Sequence, residues 1–200
     1  MNATDLLVVR HGQSEWNAIG RWQGHADPPL SELGRRQAYV AAASIGAVGG
    51  IISSDLQRAA ETAAIIAQQL GVGPVMVDER LRERDAGEWT GLGRAEIDKG
   101  WPGWIADERR PAGFEDADSV LTRVVEAFAA IREASPGSSL LVVTHGGVIR
   151  AIAKAQGLAD APVSHLGGLT MRVSTTGQVV GERLSLLDGQ TVAITQNEEL

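Results

Sequence analysis

Cysteine is absent from the 200 residues. That removes disulfides, thiolate nucleophiles and cysteine-ligated zinc or iron–sulfur centres together. Lysine is nearly absent as well, present only as Lys99 and Lys154, so the positive charge is almost entirely arginine. There is no excess of that charge. With 18 basic against 25 acidic side chains the formal net charge is −7, which leaves no global electrostatic footprint for nucleic acid and obliges any anionic ligand to be attracted locally. No apolar run is long enough to span a bilayer, and Met1–Asp5 lacks the basic region of a signal peptide. A cytoplasmic protein without nucleic-acid or membrane partners is the expectation. The 24 glycines follow no repeat period, and 44% hydrophobic with 22% charged residues is ordinary globular composition, so one domain over residues 1–200 with a substantial core is expected.

The most informative stretch runs from Leu6 to Asn17. Leu6-Leu7-Val8-Val9 reads as a strand buried on both faces, passing without a spacer into Arg10-His11-Gly12. Open α/β sheets bind ligands at the carboxyl ends of their strands. A neutral imidazole there is a competent nucleophile near pH 7, and an adjacent guanidinium suits an anionic electrophile, with phosphate the obvious candidate.

Strand and helix patterns alternate along the rest of the chain. Asp27-Pro28-Pro29 is a loop and Ser31 the N-cap of a helix running towards Ile45. Ile51–Ser53 is a short strand, Leu56–Leu70 an amphipathic helix and Pro74–Val77 another strand. Residues 80–110 loosen into tryptophans, glycines and charges, an irregular excursion suited to a lid or substrate-selecting insertion. A helix over Ala117–Glu133 precedes the second strong strand, Leu140–Thr144, which also ends in a histidine, at His145-Gly146-Gly147, before a helix over Val148–Gln156. Two strands, Leu169–Ser174 and Val179–Leu184, form a hairpin, and residues 196–200 are expected to fray. This order predicts an α/β fold: a single-domain, three-layer α/β/α sandwich around a mostly parallel mixed sheet.

His11 and His145 occupy matching settings. A lone strand-terminal histidine is most often a hydrogen-bonded structural residue, but two on neighbouring parallel strands would emerge at the same edge. Arg58, just after Ser53-Ser54-Asp55, leaves a strand at that edge too, although alone it reads as an exposed helical residue. Arg10 and Arg58 could grip phosphoryl oxygens through fork-like hydrogen bonds. A leaving alkoxide needs a proton donor, and spacing alone does not choose among Glu79, Glu83, Asp85 and Glu88. His25 and His165 read as surface or loop residues, and Trp101 and Trp104 as packing anchors. No cysteine exists and no histidines pair at helical ligand spacing, so no metal site is expected.

Arg10-His11-Gly12-Gln13-Ser14-Glu15-Trp16-Asn17 resembles the Arg-His-Gly-(Glu/Gln)-(Ser/Thr)-x-x-Asn signature of the histidine phosphatase superfamily, in its phosphoglycerate mutase-like branch. Gln23-Gly24, Pro29-Leu30 and Gly34 resemble the segment that follows. Ser54-Asp55-Leu56 with Arg58-Ala59 and Thr62-Ala63, then Leu81-Arg82-Glu83 with Gly87, Trp89 and Gly91, then His145-Gly146-Gly147, resemble the later blocks in family order. The resemblance covers Leu6 to Ile152. It implies that His11 is the nucleophile, Glu83 the proton donor, and Arg10, Arg58 and His145 the phosphate pocket, with Asn17, Gln23, Gly24 and Gly146 adding contacts. One departure stands out: Gly113-Phe114-Glu115-Asp116 replaces the family's frequent Gly-Gly-Glu-Ser.

The implied function is a cofactor-independent phosphomonoesterase acting on a small molecule through phosphohistidine. Its rivals are a phosphoglycerate mutase, disfavoured by the compact gap between Glu83 and His145, and a catalytically silent phosphate-binding regulator. The substrate-selecting residues are expected between Gly91 and Glu115, and a homodimer is left open.

Overall fold

The computed structural model describes residues 3–189 and 192; the expected fraying of 196–200 lies outside them. In chain order the elements are β1 (Thr4–Arg10), α1 (Glu15–Ala18), α2 (Glu32–Ala42), β2 (Gly50–Ser53), α3 (Gln57–Leu70), β3 (Met76–Val77), α4 (Arg94–Gly100), α5 (Ala117–Ala134), β4 (Ser139–Thr144), α6 (Gly146–Ala155), β5 (Gly167–Ser174) and β6 (Gly177–Ser185). The strands form one six-stranded sheet in the order β3-β2-β4-β1-β5-β6. Pairing is parallel from β3 to β1 and antiparallel from β1 to β6, the mostly parallel mixed sheet that the strand–helix alternation predicts.

The unbroken apolar runs of β1 and β4 follow from burial on both sides, because alternate residues enter different cores. Leu6, Val8, Leu140 and Val142 pack with Val120, Val124, Phe128 and Ile149 beneath α5 and α6. Leu7, Val9, Leu141 and Val143 pack with Ala38, Ala59, Ala63 and Ile66 beneath α2 and α3. Every one of those eight strand residues is at most 2% exposed. The helices begin and end where local chemistry dictates. Ser31 accepts the Gly34 N–H at the start of α2, Asp116 accepts the Ser119 N–H at the start of α5, and α3 stops at Gly71 with φ 66°.

Several boundaries differ from the sequence pattern; both hairpin strands, for instance, begin two residues early, at Gly167 and Gly177. The third strand shrinks to Met76–Val77, since Pro74 has no N–H to give a ladder. The last helix starts two residues early, at Gly146, with His145 as its N-cap. The excursion over 80–110 contains α4 and two short 3-10 turns, Glu79–Leu81 and Gly87–Trp89. It has a third, small core of its own: Trp89 is fully buried, with Ala86 and Ile97, and Trp22, Trp101, Trp104 and Phe114 pack around it. Trp101 and Trp104 are thus packing residues, as their setting suggested. Among the described residues no helix is long and apolar enough to cross a membrane.

Candidate active site

Strand register brings the two histidines together. Arg10 pairs with Thr144 as the last rung of the parallel β1–β4 ladder, and the His11 N–H donates to the Thr144 carbonyl at 3.0 Å. The next residue on each strand is a histidine, and the two rings stand 5.1 Å apart, edge to face. The chain leaves β1 towards α2 on one face and leaves β4 into α6 on the other. This is a topological switch point, where the crevice of an open sheet lies.

Hydrogen bonds fix both rings. His11 Nδ1 lies 2.6 Å from the Gly12 carbonyl, which can only accept, so Nδ1 carries the proton and Nε2 keeps the lone pair. Burial, then the nearby Arg58 and Arg10 charges, hold the His11 imidazolium pKa well below its ordinary value, so the ring is neutral near pH 7. His145 is likewise pushed well down, by burial and then by Arg58, His11 and Arg10. Its Nε2 lies 2.9 Å from Ser54 Oγ, and Ser54 Oγ also accepts the Leu56 N–H at 3.2 Å. Among the described residues His145 Nε2 is the one acceptor within reach of the Ser54 hydroxyl proton, and that arrangement leaves Nδ1–H as a donor. His145 can serve an anion as a neutral ring, through that N–H.

Arg10 Nη1 donates to the Val163 carbonyl at 2.7 Å. Arg58, fully buried rather than an exposed helical residue, donates from Nη1 to the Ala26 carbonyl and from Nη2 to the Gly24 carbonyl. Burial pulls its pKa down to about 10, so it stays charged at neutral pH. Three nitrogens here, Arg10 Nε, Arg58 Nε and His145 Nδ1, are buried without a hydrogen-bond partner in the protein. Such groups are uncommon, and three of them in side chains close to the His11 ring could hold an anion.

Glu83 follows the turn Glu79–Leu81. Its carboxylate accepts the Arg84 N–H at 2.8 Å and the Gly147 N–H at 3.1 Å, and it lines the same cavity as His11. Its rivals point elsewhere: Asp85 accepts the Gly87 N–H, Glu79 lies near Arg82, and Glu88 is exposed. The backbone beneath Glu83 is held by a residue that sequence reasoning missed. Arg123, on α5, donates to the carbonyls of Arg80, Arg82 and Glu83 and forms a two-pronged pair with Glu115. Only the helical register of α5 puts Arg123 there, a signal that local sequence does not carry.

Asn17 and Gln23 line the cavity. The Asn17 side-chain carbonyl caps the Ser14 N–H, and Gln23 Oε1 lies 2.7 Å from Ser14 Oγ, so both amide nitrogens remain as donors. Gly24, at φ 49°, lines the cavity and touches Ala86 too closely for any side chain. Gly146 opens α6 beside Arg10, but Gly147 lines the cavity in its place. His165 lies in a turn, as expected of a loop residue, but is half-buried beside His11. Its ring lies 6.1 Å from that of His11, its Nδ1 is 3.3 Å from the His11 carbonyl, and burial takes its pKa down to about 4. His25 is exposed, its Nε2 donating to the Glu83 carbonyl at 2.8 Å. Among the described residues no group of three or more metal-ligating side chains occurs. The cavity measures about 550 Å³, large for a phosphoryl group alone.

Residues 6–179 match the model of the histidine phosphatase superfamily, branch 1. Over 187 residues the chain is 40% identical to a glucosyl-3-phosphoglycerate phosphatase of Mycobacterium tuberculosis, covering 84% of this chain and 82% of that protein. It is 35% identical over 159 residues to a metal-independent phosphoserine phosphatase of Arabidopsis thaliana, covering 74% and 67%. A solved mycobacterial glucosyl-3-phosphoglycerate phosphatase in complex with VO3 superposes with a TM-score of 0.77 at 28% identity, covering 92% of this chain and all of that one.

Proposed function

The chain belongs to the histidine phosphatase superfamily, branch 1, and from that premise we propose a metal-independent phosphomonoesterase that works through phosphorylated His11. One observation carries this reading: Arg10 Nε, Arg58 Nε and His145 Nδ1 are buried without a partner in side chains close to an imidazole whose Nδ1 proton is taken by the Gly12 carbonyl, which leaves the Nε2 lone pair free. Phosphoryl transfer needs an aligned nucleophile and neutralisation of the equatorial oxygens, and these groups supply both. His11 Nε2 attacks phosphorus, the ester P–O bond breaks, and protonated Glu83 gives its proton to the departing alkoxide. Water then attacks the phosphohistidine, Glu83 takes the proton, the P–N bond breaks and inorganic phosphate leaves. Asn17 and Gln23 donate to the phosphoryl oxygens from their amide nitrogens.

The substrate is a small phosphate ester met in the cytoplasm, and residues 1–200 act as one such domain, a reading the continuous sheet supports. The test is turnover of an aryl phosphate with chelator present, together with trapping of the phosphoenzyme by intact-mass spectrometry. A gain of one phosphoryl group, lost with His11→Ala along with turnover, is expected. Turnover by His11→Ala at a comparable rate refutes the assignment, and phosphoryl return to 2- or 3-phosphoglycerate in place of phosphate release would make the enzyme a mutase.

A further inference from the structure

The turn that carries His11 is held peptide by peptide. In the Arg10–His11 peptide the carbonyl accepts the Leu166 N–H and the N–H donates to the Thr144 carbonyl, both at 3.0 Å. In the Gly12–Gln13 peptide the carbonyl lies 2.6 Å from His11 Nδ1, and the N–H donates to Gln37 Oε1 at 2.9 Å. Between them, the His11–Gly12 peptide gives its N–H to Thr62 Oγ1 at 3.1 Å, and its carbonyl lies 3.3 Å from His165 Nδ1. A carbonyl only accepts, so His165 carries its proton on Nδ1 and donates it there. Among the described residues no other donor reaches the His11 carbonyl.

The segment bearing His165 is bent to reach this place. Leu166, next in the chain, is fully buried at φ 55°, a left-handed conformation uncommon for any residue but glycine. Such a conformation persists only where its surroundings over-determine it. Here the Leu166 N–H is held by the Arg10 carbonyl, and its own carbonyl accepts the Leu186 N–H at 3.0 Å. On the other side of His165, the Val163 carbonyl accepts from Arg10 Nη1 at 2.7 Å. Arg10, the residue before the nucleophile, thus anchors the segment on both sides of the ring. The ring is half-buried, and burial first and the Arg10 charge second keep it neutral. A neutral imidazole donates a hydrogen bond without setting a second positive charge beside Arg10, which a lysine could not do.

We propose that His165 is a positioning residue for the nucleophile: its Nδ1–H, donated to the His11 carbonyl, fixes the His11–Gly12 peptide and with it the direction in which His11 presents Nε2. The link runs through Gly12. The His11 ring is oriented by its bond to the Gly12 carbonyl, and that carbonyl follows any tilt of the peptide before it. Glycine offers little torsional resistance of its own, so the restraint has to come from the partners of the peptide groups. Thr62 holds one end of the middle peptide and His165 the other. His165 lies beyond Ile152, outside the blocks that resemble the family signature, and its role is visible only in the folded chain. The proposal rests on the phosphatase reading and adds to it a residue that aims the nucleophile.

Two substitutions separate the hydrogen bond from the packing. His165→Phe keeps a ring and loses the donor, whereas His165→Asn keeps an N–H in the place of Nδ1 and loses the ring. Each is compared with the wild type by kcat and KM on 4-nitrophenyl phosphate and by long-range ¹H–¹⁵N correlation of His11, after a check that the melting temperature is unchanged. His165→Phe should lower kcat about 10- to 100-fold with KM changed less than about 2-fold, the effect of a nucleophile that is bound near but aimed poorly. Its His11 proton should average between the two ring nitrogens. His165→Asn should bring kcat back to within about 3-fold of the wild type and restore the Nδ1–H signal. Should His165→Phe fail to fold, His165→Leu serves as the donorless variant. A donorless variant with wild-type kcat, His165→Asn as impaired as the donorless variant, or a change confined to KM overturns the proposal. Turnover by His11→Ala at a wild-type rate overturns the phosphatase reading instead. The His11 spectra then decide the positioning by themselves, and a wild-type signal in the donorless variant refutes it.

Discussion

Ser54→Ala removes the hydroxyl that decides which nitrogen of His145 carries the proton. In the folded protein Ser54 Oγ is fully buried, 2.9 Å from His145 Nε2, and it accepts the Leu56 N–H at 3.2 Å. Its loss leaves one buried acceptor and one backbone donor without partners, at about 1–3 kcal/mol for each group so orphaned. The ring can escape its share by moving its proton to Nε2. That move takes the N–H away from Nδ1, which like Arg10 Nε and Arg58 Nε is buried with no partner in the protein. One preorganised donor to a developing oxyanion is worth about 10²–10³ in kcat. A mixture of tautomers forfeits part of this, so kcat on an aryl phosphate should fall about 10- to 100-fold, less than in His145→Ala. The stability change should stay near 2 kcal/mol, read by urea denaturation. Long-range ¹H–¹⁵N correlation of the imidazole supplies the decisive readout: Nδ1–H in the wild type, Nε2–H or an average in the variant. An unchanged tautomer with reduced kcat, or an unchanged kcat with a switched tautomer, would refute the reasoning.

Arg123→Met should lower stability by about 3–5 kcal/mol, because it strands the half-buried Glu115 carboxylate and frees three backbone carbonyls. Adding Glu115→Gln should recover part of that loss, and a double-mutant cycle in urea checks it. Burial pushes the Glu115 carboxyl up and Arg123 draws it down further, for a net shift below its ordinary value. The pair's contribution is therefore present above pH ~4.5 and disappears as the pH falls through the folded value. His11, His145 and His165 are all held neutral by burial, so the unfolded chain binds their protons first. Stability should be full above the ordinary histidine value near 6.5 and drop by about 1.4 kcal/mol per pH unit for each of them below it. An imidazole titration of His11 with its midpoint near 6.5 would contradict this. A Cβ on Gly12 would stand 2.6 Å from the Gly34 carbonyl oxygen, so Gly12→Ala must displace the loop carrying His11. A fall in kcat of about 100-fold with a modest change in KM is expected, the effect of a shift near 1 Å.

Much of the framework is written locally. Continuous apolar runs at Leu6–Val9 and Leu140–Val143 announce strands covered on both faces, the caps at Ser31 and Asp116 start the helices beside them, and a histidine follows each of the two runs. These are statements about neighbours in the chain, so local propensity and period suffice. Residues that act at a distance behave differently. Arg58 reads as an ordinary helical side chain until the Gly24 and Ala26 carbonyls close around it, and His165 reads as a loop residue until Leu166 docks on the Arg10 carbonyl.

The sequence by itself determined that this is an α/β protein with an Arg-His-Gly turn at a strand end, no thiol chemistry and an ordered set of phosphatase-like blocks. Only the tertiary structure settles that Glu83, of the four neighbouring carboxylates, shares a cavity with His11, that His11 carries its proton on Nδ1, and that Arg58 is buried against the Gly24 and Ala26 carbonyls. The physical reason is range. Period and capping are set within a few residues, whereas a buried charge or a ring proton is settled by whichever partners, dozens of residues away, the sheet order brings within 3 Å.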